Sequence, residues 1–157
     1  MARYIEVDFT EVTTKKAMAV RKSKQLCSVL GDEISLCRSI ITKRAVALRM
    51  PIAQGGTALH SPVYHLLPCD LRLPPGEALG RLLEPILSRS QPTLLLFECV
   101  LAYMRPDASS ALLRWFVDYM DSGVLGCVVY EMFGLNDTFG KVMVNNLKVR
   151  VKCMWRA

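Results

Sequence analysis

The chain has 157 residues, 52% of them hydrophobic and 22% charged, with no low-complexity tract, so it is expected to build a single buried core and not to be disordered. Its net charge of +6 lies early: residues 1–60 carry ten Lys/Arg against five Asp/Glu, residues 61–157 ten against nine. The apolar stretches around Pro92 to Met104 and Val124 to Phe133 are shorter than the ~20 residues that span a bilayer and are interrupted by Glu98 and Glu131, so no transmembrane helix is expected.

Tyr4 to Phe9 alternates apolar and polar residues, the mark of a strand, and Thr10 to Leu30 turns to helical composition. The opening MARYIEVDF lacks a basic segment followed by an apolar one, so export is not expected. Lys15, Lys16, Arg21, Lys22 and Lys24 recur at helix-like intervals. With no aromatic residue between them to stack on bases, they read first as a solvated helix face and only second as a basic face for an acidic partner, phosphate or nucleic acid. Residues 31–61 show no clear period; Pro51 and Gln54-Gly55-Gly56-Thr57 mark a loop, so this stretch is expected to be an insertion with one short helix at most.

Val63 to Leu67 is a short apolar run that delivers Cys69, Asp70, Leu71 and Arg72 at its carboxyl end. Glu77 to Leu87 follows Pro74-Pro75 with leucines and isoleucine at spacings of three and four, as in a helix covering a sheet. Thr93 to Phe97 is continuous and apolar, which predicts a strand buried on both faces and ending in Glu98-Cys99. A helix opens at Pro106-Asp107 and runs to about Asp121, its buried side formed by Leu112, Leu113, Phe116, Val117 and Met120, and Gly123 closes it. Val124 to Phe133 is a fourth strand; Asp137 to Val149 is a last helix with Phe139, Val142, Met143 and Leu147 inward.

Strand then helix, four times over, predicts a mostly parallel open sheet with helices on both faces. Ligands of such sheets bind at the carboxyl ends of the strands. Polar residues gather there: Glu6 and Asp8, Asp70 and Arg72, Glu98, and Glu131. A carboxylate offers two oxygens to a pair of ribose hydroxyls, which suits Asp8 or Glu6. Asp70 beside the backbone amide of Leu71 suits the amino edge of adenine. Glu98, after an apolar strand, is expected in low dielectric, where it needs a charged partner. The six cysteines stand ten or more residues apart, as reduced thiols of an intracellular protein and not as a disulfide framework or zinc site; no metal is expected. His60 and His65 precede a strand other than the one that ends in Cys99, so Cys99 reads as a small buried residue and not as a nucleophile.

Three pieces of the chain, Tyr4-Ile5-Glu6-Val7-Asp8-Phe9, Cys69-Asp70-Leu71-Arg72 and the block from Pro92 to Met104, resemble the leucine carboxyl methyltransferase family. Tyr130-Glu131 and Asp137 to Leu147 complete the match, leaving 31–61 unmatched. The resemblance implies a Rossmann-like, S-adenosylmethionine-dependent fold in residues 1–157 and a cytoplasmic enzyme that methylates the C-terminal leucine carboxylate of the type 2A protein phosphatase catalytic subunit. It implies that Asp8 contacts the cofactor's ribose, Asp70 and Leu71 its adenine, and Glu98 its methionine end, while Arg72 and Tyr103 hold the substrate carboxylate. Arg72 read alone has a second, less favoured reading as a surface arginine pairing with Asp70 or Glu77, and Tyr103 could equally be a half-buried structural tyrosine. The family's glycine-rich loop, with an upstream arginine and lysine, belongs to a strand before Tyr4, and further strands follow the position of Arg150; none is among these residues. The expectation is therefore a partial domain with an incomplete sheet, as a fragment, an alternative transcript or a mispredicted gene would be, and the alternative function is a non-catalytic binding module derived from such an enzyme.

Overall fold

The computed structural model describes residues 2–30, 35–36, 56–132 and 135–154. It divides into two compact units, Met1–Leu71 and Arg72–Ala157.

In the first unit, β1 (Tyr4–Asp8) lies parallel to β4 (Tyr64–Pro68), with Tyr4 opposite Tyr64 and Asp8 opposite Pro68. The sheet continues antiparallel from β4 to β3 (Leu59–His60) and on to β2 (Ser35–Leu36), in the order β1-β4-β3-β2, so β1 is an edge strand. The loop expected over 31–61 thus contributes two short strands; residues 31–34 and 37–55, on which the expected short helix would fall, lie outside the described residues. The helix expected over Thr10 to Leu30 is two, α1 (Thr10–Lys22) and α2 (Lys24–Leu30), because Ser23 between them is extended at φ −94° and ψ 107°. α1 turns Ala17 and Val20 onto Leu59 and Leu66 to form the core, with Leu30 and Tyr64 packed against it. Apolar burial of this kind is worth roughly 25 cal/mol per Å² removed from water.

In the second unit, β5 (Thr93–Glu98) and β6 (Leu125–Tyr130) form a parallel pair whose register runs from Thr93 opposite Leu125 to Glu98 opposite Tyr130. All four predicted strands are present, and within their units they pair in parallel, β1 with β4 and β5 with β6. α3 (Pro75–Leu83), α4 (Pro106–Tyr119) and α5 (Thr138–Met154) complete the unit. α3 starts on prolines, whose fixed φ suits the first helical turn and whose missing N–H is not needed there. α3 packs on α4 through a glycine-lined surface: a Cβ at Gly80 would stand 3.1 Å from the Trp115 ring, and one at Gly76 3.6 Å from Trp115 Nε1. Trp115 in turn stacks on Tyr119, with ring centroids 4.8 Å apart. After α4 the chain reverses at Gly123, whose φ of +82° is one that a side chain would strain.

Three burial expectations are corrected here. β5 is not buried on both faces: Phe97 is buried, but Leu94 and Leu96 are 68% and 57% exposed. In α4, Leu112, Phe116 and Met120 are buried as expected, whereas Val117 is exposed. In α5, Phe139 and Val142 are exposed, and the side chain of Leu147 lies outside the described residues. The common cause is that an apolar run records a capacity for burial and not what covers it.

Candidate functional site

In the first unit the parallel pairing of β1 with β4 ends at Asp8 and Pro68, and the chain stays paired for one residue more, Cys69 N–H donating to the Asp8 carbonyl at 2.9 Å. This places the Asp8 carboxylate and the Asp70-Leu71 segment side by side at the carboxyl end of two neighbouring parallel strands. Asp8 is half-buried, and its Oδ1 accepts the Phe9 amide at 2.7 Å, bracing the turn into α1. A carboxylate oxygen can accept two hydrogen bonds, so this bond leaves Asp8 acceptor capacity.

Glu6, the other acid considered for a ribose, is otherwise engaged. Lys16 Nζ donates to both its oxygens at 2.6 and 2.7 Å, and the Tyr64 hydroxyl donates to Oε2 at 2.9 Å. Burial, and then the hydrogen bond to Glu6, push the Tyr64 hydroxyl well above its ordinary pKa. Glu6 therefore ties β1 to α1 and β4 and is not a ligand candidate.

In the second unit the carboxyl ends of β5 and β6 carry Glu98 opposite Tyr130. Glu98 is exposed, which corrects the expectation of a low-dielectric setting after an apolar strand. Cys99, which follows, holds φ 51°, a left-handed conformation that a non-glycine residue rarely adopts, while its N–H donates to the Tyr130 carbonyl at 2.8 Å. The chain then makes one tight turn, Leu101–Tyr103, and enters α4. Glu131, just past β6, reaches this turn: its Oε1 accepts the Leu101 amide at 2.8 Å and the Ala102 amide at 3.4 Å. Tyr103 is half-buried and Arg72, the first residue of this unit, is exposed.

The sequence-predicted residues thus form two groups, each within its own unit: Asp8, Asp70 and Leu71 at the end of β1–β4, and Glu98 and Tyr103 at the end of β5–β6. The strand pattern marks Glu131 as a polar strand-end residue but does not reveal its bonds to the turn, because thirty residues separate it from the amides it holds.

Covalent chemistry at a thiol finds no support at Cys69, which burial and the neighbouring Asp70 push up to about 11. The two histidines face each other across β3 and β4, Nδ1 to Nδ1 at 2.9 Å, and are held below the ordinary histidine value, mainly by burial. Among the described residues no group of three or more His, Cys, Asp or Glu is arranged to hold a metal ion, and no helix is long and apolar enough to cross a membrane.

Comparison with known proteins points the same way as the strand-end acids. The family model described as leucine carboxyl methyltransferase matches residues 1–117. The chain is 38% identical to "Leucine carboxyl methyltransferase 1" of Cryptococcus neoformans var. neoformans serotype D (strain JEC21) over 162 aligned positions, covering 96% of this chain and 42% of that protein. It is 34% identical to the protein of the same name from Debaryomyces hansenii, covering 94% of this chain and 38% of that one, and 34% identical to "Leucine carboxyl methyltransferase 1 homolog" of Arabidopsis thaliana, covering 94% and 39%. The chain spans about two fifths of the length of these relatives. With three quarters of its residues matched by one family model, the chain belongs to the leucine carboxyl methyltransferase family.

Proposed function

We propose that the chain is part of an S-adenosylmethionine-dependent carboxyl methyltransferase with a Rossmann-like fold, residues 1–157 belonging to one methyltransferase domain. Its substrate is a protein with a C-terminal leucine, the type 2A protein phosphatase catalytic subunit, and its place of action the cytoplasm. The observation that carries this reading, beside family membership, is the pairing of Asp8 with Pro68 and Cys69, just before Asp70-Leu71, at neighbouring parallel strand ends, where open α/β sheets bind nucleotides. Those residues offer what an adenosine needs: a half-buried carboxylate with acceptor capacity for ribose hydroxyls, and an acid beside a backbone amide for the adenine edge. Glu98 is proposed at the methionine end. When bound, S-adenosylmethionine supplies the electrophilic methyl group.

The chain's own residues then have little proton chemistry to do. A C-terminal carboxyl, with a pKa of about 3.5, is already a nucleophilic carboxylate at neutral pH and needs no general base. What remains is position. Arg72 donates bidentately to the planar carboxylate, which a lysine would do less well, and thereby selects a free C-terminus over an amide; Tyr103 holds the same group from the turn before α4.

The test is transfer of labelled methyl to a peptide ending in leucine, read as a base-labile ester, beside the same peptide with an amidated C-terminus. Labelling of the free acid alone supports the proposal. Binding of S-adenosylmethionine with no transfer to either peptide would instead leave a non-catalytic binding module, and the enzyme reading would fall.

A further inference from the structure

Between β5 and α4 the chain makes a conformationally strained passage. Cys99 is the one non-glycine residue among those described with positive φ, at 51°, and the turn that follows is a single one stabilised by Tyr103 N–H to the Val100 carbonyl at 3.2 Å and Met104 N–H to the Leu101 carbonyl at 3.0 Å. Such a turn leaves the amides of its first residues without partners of their own. Glu131 supplies the acceptor from the neighbouring strand end, and it does so with one oxygen only. The other oxygen, Oε2, is buried and has no hydrogen-bond donor among the described residues. A carboxylate that gives up water at one oxygen in order to hold two amides with the other is placed for that grip, because a buried acceptor left unmatched opposes the arrangement by itself. The segment gripped is the one that carries Glu98 at its start and Tyr103 at its end.

We propose that Glu131 is a positioning residue: its carboxylate holds the Leu101 and Ala102 amides and so fixes the turn that presents Glu98 and Tyr103. The inference rests on the proposed methyl transfer for its functional consequence, but its structural part stands apart from that reading. Glu131 sets where two other side chains lie, and it touches neither of the reacting groups. The role needs an acceptor oxygen at the Oε1 position and no charge, so an amide can do it.

The experiment compares Glu131→Ala and Glu131→Gln with the unmodified chain in two readouts. The first is hydrogen exchange at the Leu101 and Ala102 amides. Exchange at both should quicken about tenfold in Glu131→Ala, the loss of roughly one hydrogen bond, and stay near the unmodified rate in Glu131→Gln. The second is methyl transfer to the leucine-ending peptide by the full-length protein that carries this chain. In Glu131→Ala kcat should fall on the order of 10²-fold, as displacement of a catalytic geometry by about an ångström does, while Glu131→Gln recovers most of it. Unchanged exchange in Glu131→Ala overturns the proposal, and so does a Glu131→Gln variant as slow as Glu131→Ala, which would mean that the charge acts directly. If Glu131→Ala fails to fold, Glu131→Gln alone still decides, since loss of amide protection with the fold retained contradicts the role. If the unmodified full-length protein transfers no methyl group, the proposed function fails, while the exchange rates still show whether Glu131 holds the two amides.

Discussion

The bonds that fix single residues in the first unit are polar ones set close to a small core. Glu6 collects Lys16 and Tyr64, and the Tyr64 hydroxyl closes this link. Tyr64→Phe is expected to lower stability by about 1 kcal/mol in denaturant titration, the usual net value of one hydrogen bond, more than Lys16→Met, whose ion pair is half exposed and screened. The histidine pair makes a pH-dependent contribution. Burial first, then the mutual repulsion of the rings for His60 and the nearby Arg3 for His65, keep both below the ordinary value of 6.5. The unfolded chain therefore binds protons more readily than the folded one as pH falls through 6.5, and stability that is complete above that value is lost below it. Melting followed between pH 7.5 and 5.5 should show a falling Tm, and the double variant His60→Gln/His65→Gln should flatten that fall; an equal slope in both would assign the dependence to other groups.

At the scale of elements, the sequence was legible where period and punctuation agreed. The four strands fall within a few residues of their predicted bounds, and Pro75, Pro106 and Gly123 mark helix starts and a turn where their fixed or permissive φ requires. Burial was less legible. Leu94, Leu96, Val117, Phe139 and Val142 carry apolar side chains in helical or strand register, yet they are exposed, since periodicity shows which face could be covered and not what covers it. The site residues showed the same division. The strand-end position of Asp8 and Asp70 was readable from the pattern, but the commitment of Glu6 to Lys16 and Tyr64 and the reach of Glu131 to Leu101 depend on partners ten to fifty-eight residues away. The α3–α4 contact gives a direct check. Gly80→Leu forces a side chain against the Trp115 ring and should destabilise by about 1–3 kcal/mol, the range for overpacking, and Trp115→Ala in the same background should return part of that loss. Additive losses in the double variant would show that the two residues do not meet in solution.

Over the whole molecule, the most prominent uncovered feature is apolar surface. Leu94, Leu96, Val128 and Tyr130 lie on one face of the β5–β6 pair by register, and all four are exposed. Add β1 at a sheet edge with Tyr4 60% exposed, and the chain as it stands should bind hydrophobic dyes and self-associate. Leu96→Lys with Val128→Lys should reduce dye fluorescence and light scattering without lowering Tm; an undiminished dye signal would place the sticky surface elsewhere. Family membership follows from three quarters of the chain, and what the proposal adds to it is a substrate carboxylate held at Arg72. The most direct measurement is therefore steady-state methyl transfer to a leucine-ending peptide by the full-length protein carrying this chain, Arg72→Ala beside unmodified, with the Kd for S-adenosylmethionine taken separately by calorimetry. Removal of one partner of a charge pair predicts a kcat/KM lower by about 10²-fold with the Kd changed by no more than about threefold. Transfer by Arg72→Ala at the unmodified rate would contradict the assignment, and the absence of any base-labile methyl ester with the unmodified full-length protein would contradict the activity itself; the 157-residue chain alone is expected to transfer none.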